Sequence, residues 1–256
     1  MTRQIPFMDQ TFVKLTLDWR FPIITAMLYL LYNYKHNQKT LVPVRRELKS
    51  LLTLIMFTHN AVMSIFSFHV FKNTFFILFD FFKNHSFKEF FSDPQGRLWN
   101  KLFYYFWIFY FSKYIEIIDT WIIYMNNRSA SFLQVYHHTG AIICCWFLCK
   151  STSHISWIFI LFNSFVHSFM YLYYAATTVG IKSKLKFLLT YLQIAQFVIG
   201  FILGVIFMIC GDIFSSDPEV RKFQMAAGAI NLGYVAFLYV LFMRFAKQTY
   251  GKEKKD

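Results

Sequence analysis

The sequence predicts an all-α protein that crosses a membrane several times, and three observations carry that prediction. Of its 256 residues, 57% are hydrophobic and only 15% charged, against roughly 45–50% and about 25% in a soluble domain. Aromatic residues reach 22%, and Phe alone contributes 34 of them. One soluble core cannot hide that much apolar surface, whereas lipid accommodates it. Third, the apolar residues fall into runs near 21–34, 51–71, 102–125, 131–149, 155–178, 187–210 and 223–245. A spanning helix needs about 20 such residues, so the expectation is about seven transmembrane helices. That leaves no room for a separate soluble unit. The chain reads as a single membrane domain over 1–256, with a short basic tail at about 247–256.

Each element has its own justification. The run 21–34 is the weakest, a short apolar stretch between Arg20 and Lys35. The Phe-rich piece 74–82 is too short to cross by itself and is assigned to the membrane interface. The other six runs are long enough to span. The N-terminus has neither an apolar h-region nor a small-residue cleavage site, so no removed signal peptide is expected. Cys144, Cys145, Cys149 and Cys210 all lie in apolar runs without zinc-type spacing and read as reduced, buried side chains.

Charge sets the orientation. The net charge is +13, which in a soluble chain would point to nucleic acid; in a membrane chain it marks cytosolic loops, and no nucleic-acid partner is expected. The connection after the first run carries Lys35, Lys39, Arg45, Arg46 and Lys49, and the one after the fifth carries Lys182, Lys184 and Lys186. The tail carries Arg244, Lys247, Lys252, Lys254 and Lys255. The intervening connections are poorer in net positive charge. Positive-inside reasoning then puts the C-terminus in the cytosol and the N-terminus across the membrane. Lys252 and Lys254 fit a K-x-K-x-x retrieval signal of endoplasmic-reticulum membrane proteins, a receptor-read address on a cytosolic tail. Two N-x-S/T sequons, at Asn84 and Asn127, fall on opposite sides in this topology.

Ionisable groups inside a span are expensive and usually mark function. The third run holds Lys113, Glu116, Asp119 and Thr120, the three charged residues within about 120° of one helix face. The fourth holds Gln134, His137 and His138, also on one face. The fifth holds Asn163, His167, Tyr171 and Tyr174 at spacings of four, four and three. The sixth repeats Thr190, Gln193 and Gln196 every third residue. At about 1.5 Å per residue, His137 lies roughly 10 Å below the cytosolic boundary and the other sets within roughly 10–20 Å. Four polar faces at one depth imply one pocket open to the cytosol, with a Phe-rich apolar cavity beneath. A neutral imidazole there can act as base or nucleophile. Residue chemistry alone leaves two readings: an intramembrane histidine enzyme, or a proton-coupled carrier for an amphipathic anion.

The order of the motifs goes further. Lys113-Tyr-Ile-Glu116-Ile-Ile-Asp119-Thr120 resembles the K-x-x-E-x-x-D-T motif of the ELO family of very-long-chain fatty-acid elongases. Gln134-Val-Tyr-His137-His138 resembles that family's H-x-x-H-H box. His167-Ser-Phe-Met170-Tyr171-Leu-Tyr173-Tyr174 is similar to H-x-x-M-Y-x-Y-Y, and Thr190-Tyr-Leu-Gln193-Ile-Ala-Gln196 to T-x-x-Q-x-x-Q. The resemblance implies seven helices around an acyl-chain tunnel and an acyltransferase that performs the condensing step of elongation. Acyl-CoA and malonyl-CoA would be its substrates, without a bound cofactor or metal. It implies an acyl-imidazole on His137, with His167 as catalytic partner. His138 would orient or polarise, and Lys113, Glu116 and Asp119 would form the supporting charge network. Gln134, Tyr171, Tyr174, Gln193 and Gln196 would contact substrate, and Lys182, Lys184 and Lys186 would receive the phosphates of CoA. The ketoacyl reductase, dehydratase and enoyl reductase of the cycle are the implied partners. Gln134 departs from the box by replacing its first histidine, a substitution found in family branches associated with polyunsaturated substrates. A membrane di-iron desaturase or hydroxylase shares the H-x-x-H-H pattern but needs many more clustered histidines. A non-enzymatic seven-helix carrier is the remaining alternative.

Overall fold

The computed structural model describes residues 10–38, 49–93, 95–181, 185–209, 215 and 217–251. Among these residues the regular structure is helical, with no strand. In chain order the α-helices are α1 (Gln10–Thr16), α2 (Arg20–Asn37), α3 (Lys49–Asn84), α4 (Phe87–Ser92), α5 (Arg97–Ile115), α6 (Ile117–Met125), α7 (Phe132–Lys150), α8 (Trp157–Thr178), α9 (Lys186–Ile209) and α10 (Pro218–Tyr250).

Five of these, α3, α7, α8, α9 and α10, are long and apolar enough to cross a membrane. The chain is therefore an all-α, multi-pass membrane protein, with five such helices among the described residues against the expected count of about seven. The two remaining candidates fall short for visible reasons. Helix α2 ends in Tyr-Asn-Tyr-Lys-His-Asn, and the third apolar run is divided into α5 and α6 at Glu116. Side chains such as Ile65, Phe68, Phe76 and Phe79 stand more than half exposed on α3. Lipid is the solvent that makes such a surface stable, because its chains are as apolar as the side chains themselves.

The Phe-rich stretch 74–82 is not a separate interfacial piece. It is the last part of α3, which runs unbroken for 36 residues, about 54 Å at 1.5 Å per residue, well beyond an apolar layer of about 30 Å. Neither Gly nor Pro interrupts this run, so nothing local ends the helix when its spanning length is reached.

Local sequence chemistry starts four of the other helices. Ser86 and Glu89 form a reciprocal capping box on α4. Ser131 caps α7 by accepting from the Gln134 amide. Asp217 accepts from the amides of Glu219 and Val220, ahead of Pro218 in the first turn of α10. Asp93 accepts from the backbone amides of Leu98 and Trp99 at 3.0 and 2.8 Å, satisfying two otherwise orphaned donors at the start of α5.

Helices α3 and α8 lie side by side along most of their length. Ser64 Oγ donates to the Ser168 carbonyl at 2.8 Å, and the Phe71 and Phe165 rings meet at 5.1 Å. Helix α7 packs against α2, α5 and α10. Two glycines bring α9 and α10 close: a Cβ on Gly204 would lie 2.7 Å from Leu232, and one on Gly228 2.6 Å from Met208. Such close backbone approach replaces the hydrophobic drive that helices lose in lipid. The main apolar core gathers on α5, where Leu98, Trp99, Leu102, Phe106, Trp107 and Tyr110 are at most 1% exposed. Its polar edges are used. Trp107 donates to Thr16 Oγ1 at 3.0 Å, and Tyr110 to the Thr16 carbonyl at 2.7 Å. Trp146 donates to the Leu17 carbonyl at 3.0 Å. These bonds pin α1 to the bundle.

Candidate active site

The break at Glu116 decides how the third-run motif is used. Helix α5 stops one residue before it, and the Asp119 amide donates to the Glu116 carbonyl at 3.1 Å. Spaced by three, Lys113, Glu116 and Asp119 rotate steadily around the helix axis. The motif does not act as one face: it divides between two sets of partners.

The first set is a closed polar ring among α5, Glu116 and α8. Lys113 Nζ donates to Glu116 Oε1 at 2.7 Å and to Asn163 Oδ1 at 3.0 Å. The Asn163 amide lies 3.2 Å from His167 Nε2, and His167 Nδ1 lies 3.6 Å from Glu116 Oε1. An amide N–H donated to Nε2 leaves the His167 proton on Nδ1, directed at the carboxylate. The Lys113 and Glu116 side chains are 4% and 2% exposed, so each ion's main compensation is the other. The Lys113 ammonium also sits 4.0 Å above the Phe109 ring.

The second set joins α3, α6 and α8. Asp119 Oδ1 meets His59 Nε2 at 2.7 Å, and Asp119 Oδ2 accepts from the Tyr171 hydroxyl at 2.6 Å. His59 is one of eight histidines in the chain, and no motif spacing includes it. Its helix carries none of the motifs, so periodicity along α3 gave no reason to single it out.

The histidine box opens α7. Gln134 Nε2 approaches His138 Nε2 at 2.7 Å across one turn, as the spacing allows, and Thr120 Oγ1 at 3.4 Å. Thr120 in turn shares a 2.8 Å hydrogen bond with the Tyr29 hydroxyl of α2, a contact absent from the sequence reading. His138 is buried, and its Nδ1 has no partner among the described residues. His137 differs. Its ring faces those of His138 at 5.1 Å and His167 at 6.5 Å. Its backbone carbonyl accepts from the Tyr234 hydroxyl of α10 at 2.9 Å. That bond needs Gly140, because a Cβ there would stand 2.2 Å from the Tyr234 ring.

A cavity opens from this cluster, about 630 Å³ when the space open to solvent is included. His137, Lys113 and Asn163 line its polar end. Cys144, Leu148 and Ile158 line the apolar remainder, which reaches along α7 as far as Leu148, three turns or roughly 16 Å from His137. Gln196 also lines it, with a buried Oε1 that has no partner among the described residues. Cys144, Cys145 and Cys149 are free thiols, as expected; Cys210 lies outside the described residues.

The remaining predicted residues scatter. Gln193 approaches Met170 Sδ at 3.3 Å. Thr190 meets the Tyr250 hydroxyl at 3.1 Å. Tyr174 is half exposed and touches the Tyr171 ring edge-on. Lys186 stands over the Tyr250 ring at 5.5 Å. Lys182, Lys184, Lys252 and Lys254 lie outside the described residues. Among the described residues, no group of three His, Cys, Asp or Glu side chains is placed to hold a metal ion.

Comparison with known proteins agrees with the family resemblance. The chain is 25% identical to fatty acid elongase sre1 of Dictyostelium discoideum over 233 residues, covering 90% of this chain and 83% of that protein. It is 32% identical to very long chain fatty acid elongase 5 of Homo sapiens over 151 residues, 57% of this chain and 48% of that one. It is 31% identical to the Tachysurus fulvidraco protein of the same name over 169 residues, 63% of this chain and 55% of that one. The chain thus spans about half the length of these two vertebrate relatives. The model of the GNS1/SUR4 (ELO) family matches residues 14–256, and the chain belongs to that family.

Proposed function

We propose that this protein carries out the condensing step of fatty-acid elongation, joining an acyl-CoA to malonyl-CoA. The observation that carries the proposal is His137. Among the described residues no protein group hydrogen-bonds its ring, it lines the polar end of a long apolar cavity, and a second histidine ring lies 6.5 Å away. An imidazole without a resident partner, at the polar head of an apolar slot, is suited to nucleophilic attack.

In this reading a His137 ring nitrogen attacks the thioester carbonyl, the carbon–sulfur bond breaks, and the imidazole proton passes to the sulfur as CoA leaves. The acyl tail occupies the cavity along α7. Malonyl-CoA then loses its carboxylate as CO2, and the electron pair of that carbon–carbon bond attacks the acyl carbon. The carbon–nitrogen bond breaks, the imidazole regains a proton, and 3-ketoacyl-CoA departs. One proton is taken up per turnover. The ring formed by Lys113, Glu116, Asn163 and His167 supplies fixed dipoles beside the reacting carbonyl, which is where such dipoles accelerate acyl transfer. His138, held by Gln134, packs beside the His137 ring and fixes its orientation. Gln134 in the first box position keeps polyunsaturated acyl chains within the proposed substrate range.

The cellular setting completes the proposal: seven spans, a cytosolic C-terminus, and residence in the endoplasmic reticulum beside the reductases and dehydratase of the cycle. CoA cannot cross a bilayer, so the mouth of the pocket must face the cytosolic pool. Lys182, Lys184 and Lys186 then meet its phosphates.

The test uses the purified full chain in lipid nanodiscs with a panel of acyl-CoAs and malonyl-CoA labelled at its free carboxyl. Labelled CO2 should appear in equal amount with a 3-ketoacyl-CoA two carbons longer. His137→Ala should fold and give neither. With acyl-CoA alone, mass spectrometry should find the acyl group on His137. An active His137→Ala, or an adduct on another residue, refutes the assignment.

A further inference from the structure

We infer that His59, on α3 and outside every motif, is a positioning residue of this site, acting through Asp119 and Tyr171 on His167. The inference rests on the condensing reading above.

Three observations bring His59 into the site. Its side chain is 8% exposed, and its Nε2 lies 2.7 Å from Asp119 Oδ1. The other oxygen of the same carboxylate accepts from the Tyr171 hydroxyl at 2.6 Å. The Tyr171 ring is fully buried and stands edge-on between two histidines, 6.1 Å from His59 and 5.6 Å from His167. Asp119 therefore spends one oxygen on each neighbouring helix, and His59 fixes which way the carboxylate turns.

Asp119 itself is the least constrained member, with 20% of its side chain exposed. A carboxylate with a path to water rotates towards it unless both oxygens are held by protein donors. With His59 in place, Oδ2 stays on Tyr171, and the Tyr171 ring keeps its place against His167. The opposite side of His167 is held by Asn163 and Glu116. His167 is thus clamped from two directions, and only one of the two clamps belongs to the Lys113 ring. Without His59, Asp119 turns outward, the Tyr171 hydroxyl loses its acceptor inside the bundle, and the ring is free to shift. Small misplacements of a reacting group cost far more in rate than in binding.

Among the described residues His59 does not line the cavity and makes no hydrogen bond or ring contact with His137, so its effect falls on turnover and not on acyl-CoA capture. Five proteins test this in nanodiscs: wild type, His59→Leu, His59→Gln, Tyr171→Phe and the His59→Leu/Tyr171→Phe double variant. The glutamine amide sits at the same bond count from Cα as Nε2 and still donates to Asp119. We expect His59→Leu to lower kcat about 10- to 30-fold with KM for acyl-CoA within about twofold. His59→Gln should recover to within about threefold of wild type. The double variant should fall no further than the worse single one, because residues acting as a unit are not additive. Thermal unfolding of each variant is followed in parallel. Wild-type kcat in His59→Leu overturns the inference. So does an additive double variant, a loss confined to KM, or a His59→Gln as slow as His59→Leu while its midpoint is unchanged. A His59→Leu that fails to fold leaves His59→Gln and Tyr171→Phe to decide: full activity in Tyr171→Phe, or no activity in a folded His59→Gln, overturns it. A wild type that makes no ketoacyl product with any acyl-CoA refutes the condensing reading first, and this inference with it.

Discussion

Removing one half of the Lys113–Glu116 pair should cost far more stability than removing both. The two groups meet at 2.7 Å with side chains 4% and 2% exposed. Lys113→Met leaves Glu116 with Ser112 Oγ at 3.4 Å and His167 Nδ1 at 3.6 Å, two long contacts for a buried carboxylate whose Oε2 already lacks a partner among the described residues. Glu116→Gln leaves the ammonium with Asn163 and the Phe109 face. Breaking a buried pair from one side typically costs about 3–5 kcal/mol, about two to three and a half orders of magnitude in the folding equilibrium. That is a large share of a total near 5–15 kcal/mol. The double variant Lys113→Met/Glu116→Gln removes both charges at similar volume. It should unfold within about 1 kcal/mol of wild type, or be more stable, while turnover is lost. Equilibrium unfolding in mixed micelles reads the stabilities, and product formation reads the activity. Single variants within about 1 kcal/mol of wild type, or a double variant as unstable as the singles summed, would refute the claim that the pair is mutually compensating.

Three further outcomes follow from particular contacts. Gly140→Ala should destabilise by about 1–3 kcal/mol through overpacking against Tyr234 and slow turnover by moving the His137 backbone; Tyr234→Phe, which loses only the 2.9 Å hydrogen bond, should cost about 0.5–1.5 kcal/mol, and thermal unfolding separates the two. The Ser86 amide, and then its hydroxyl, donate to Glu89 and hold its carboxyl below the usual carboxylate range; the α4 cap is therefore fully formed above the unfolded-state value near 4.3 and is lost as pH falls through the lower folded one, so hydrogen exchange at residues 87–92 should rise below about pH 4 and stay flat in Glu89→Gln. In a glycosylation-competent microsome Asn127 should carry no glycan, whereas a glycan at Asn127 would place the mouth of the pocket on the wrong side for cytosolic CoA.

What the sequence determined by itself is whatever depends on neighbours along the chain. Apolar runs of spanning length, the Ser86, Ser131 and Asp217 caps, and the motif spacings on α5 to α9 are local properties, because lipid penalises every unpaired polar group wherever the helix later packs. The common depth of His137, His167 and Lys113 was readable for the same reason: rise per residue is fixed. Tertiary structure decided which of those residues meet. The rotation of each helix about its axis sends Lys113 and Glu116 to Asn163 and His167, but sends Asp119 to His59 and Tyr171. It also leaves Tyr174 half exposed beside a buried Tyr171. Those rotations are set by contacts such as Gly140 beneath the Tyr234 ring and Ser64 against Ser168, between residues far apart in sequence. Spacing along one helix therefore shows which residues share a depth, and only packing between helices selects their partners.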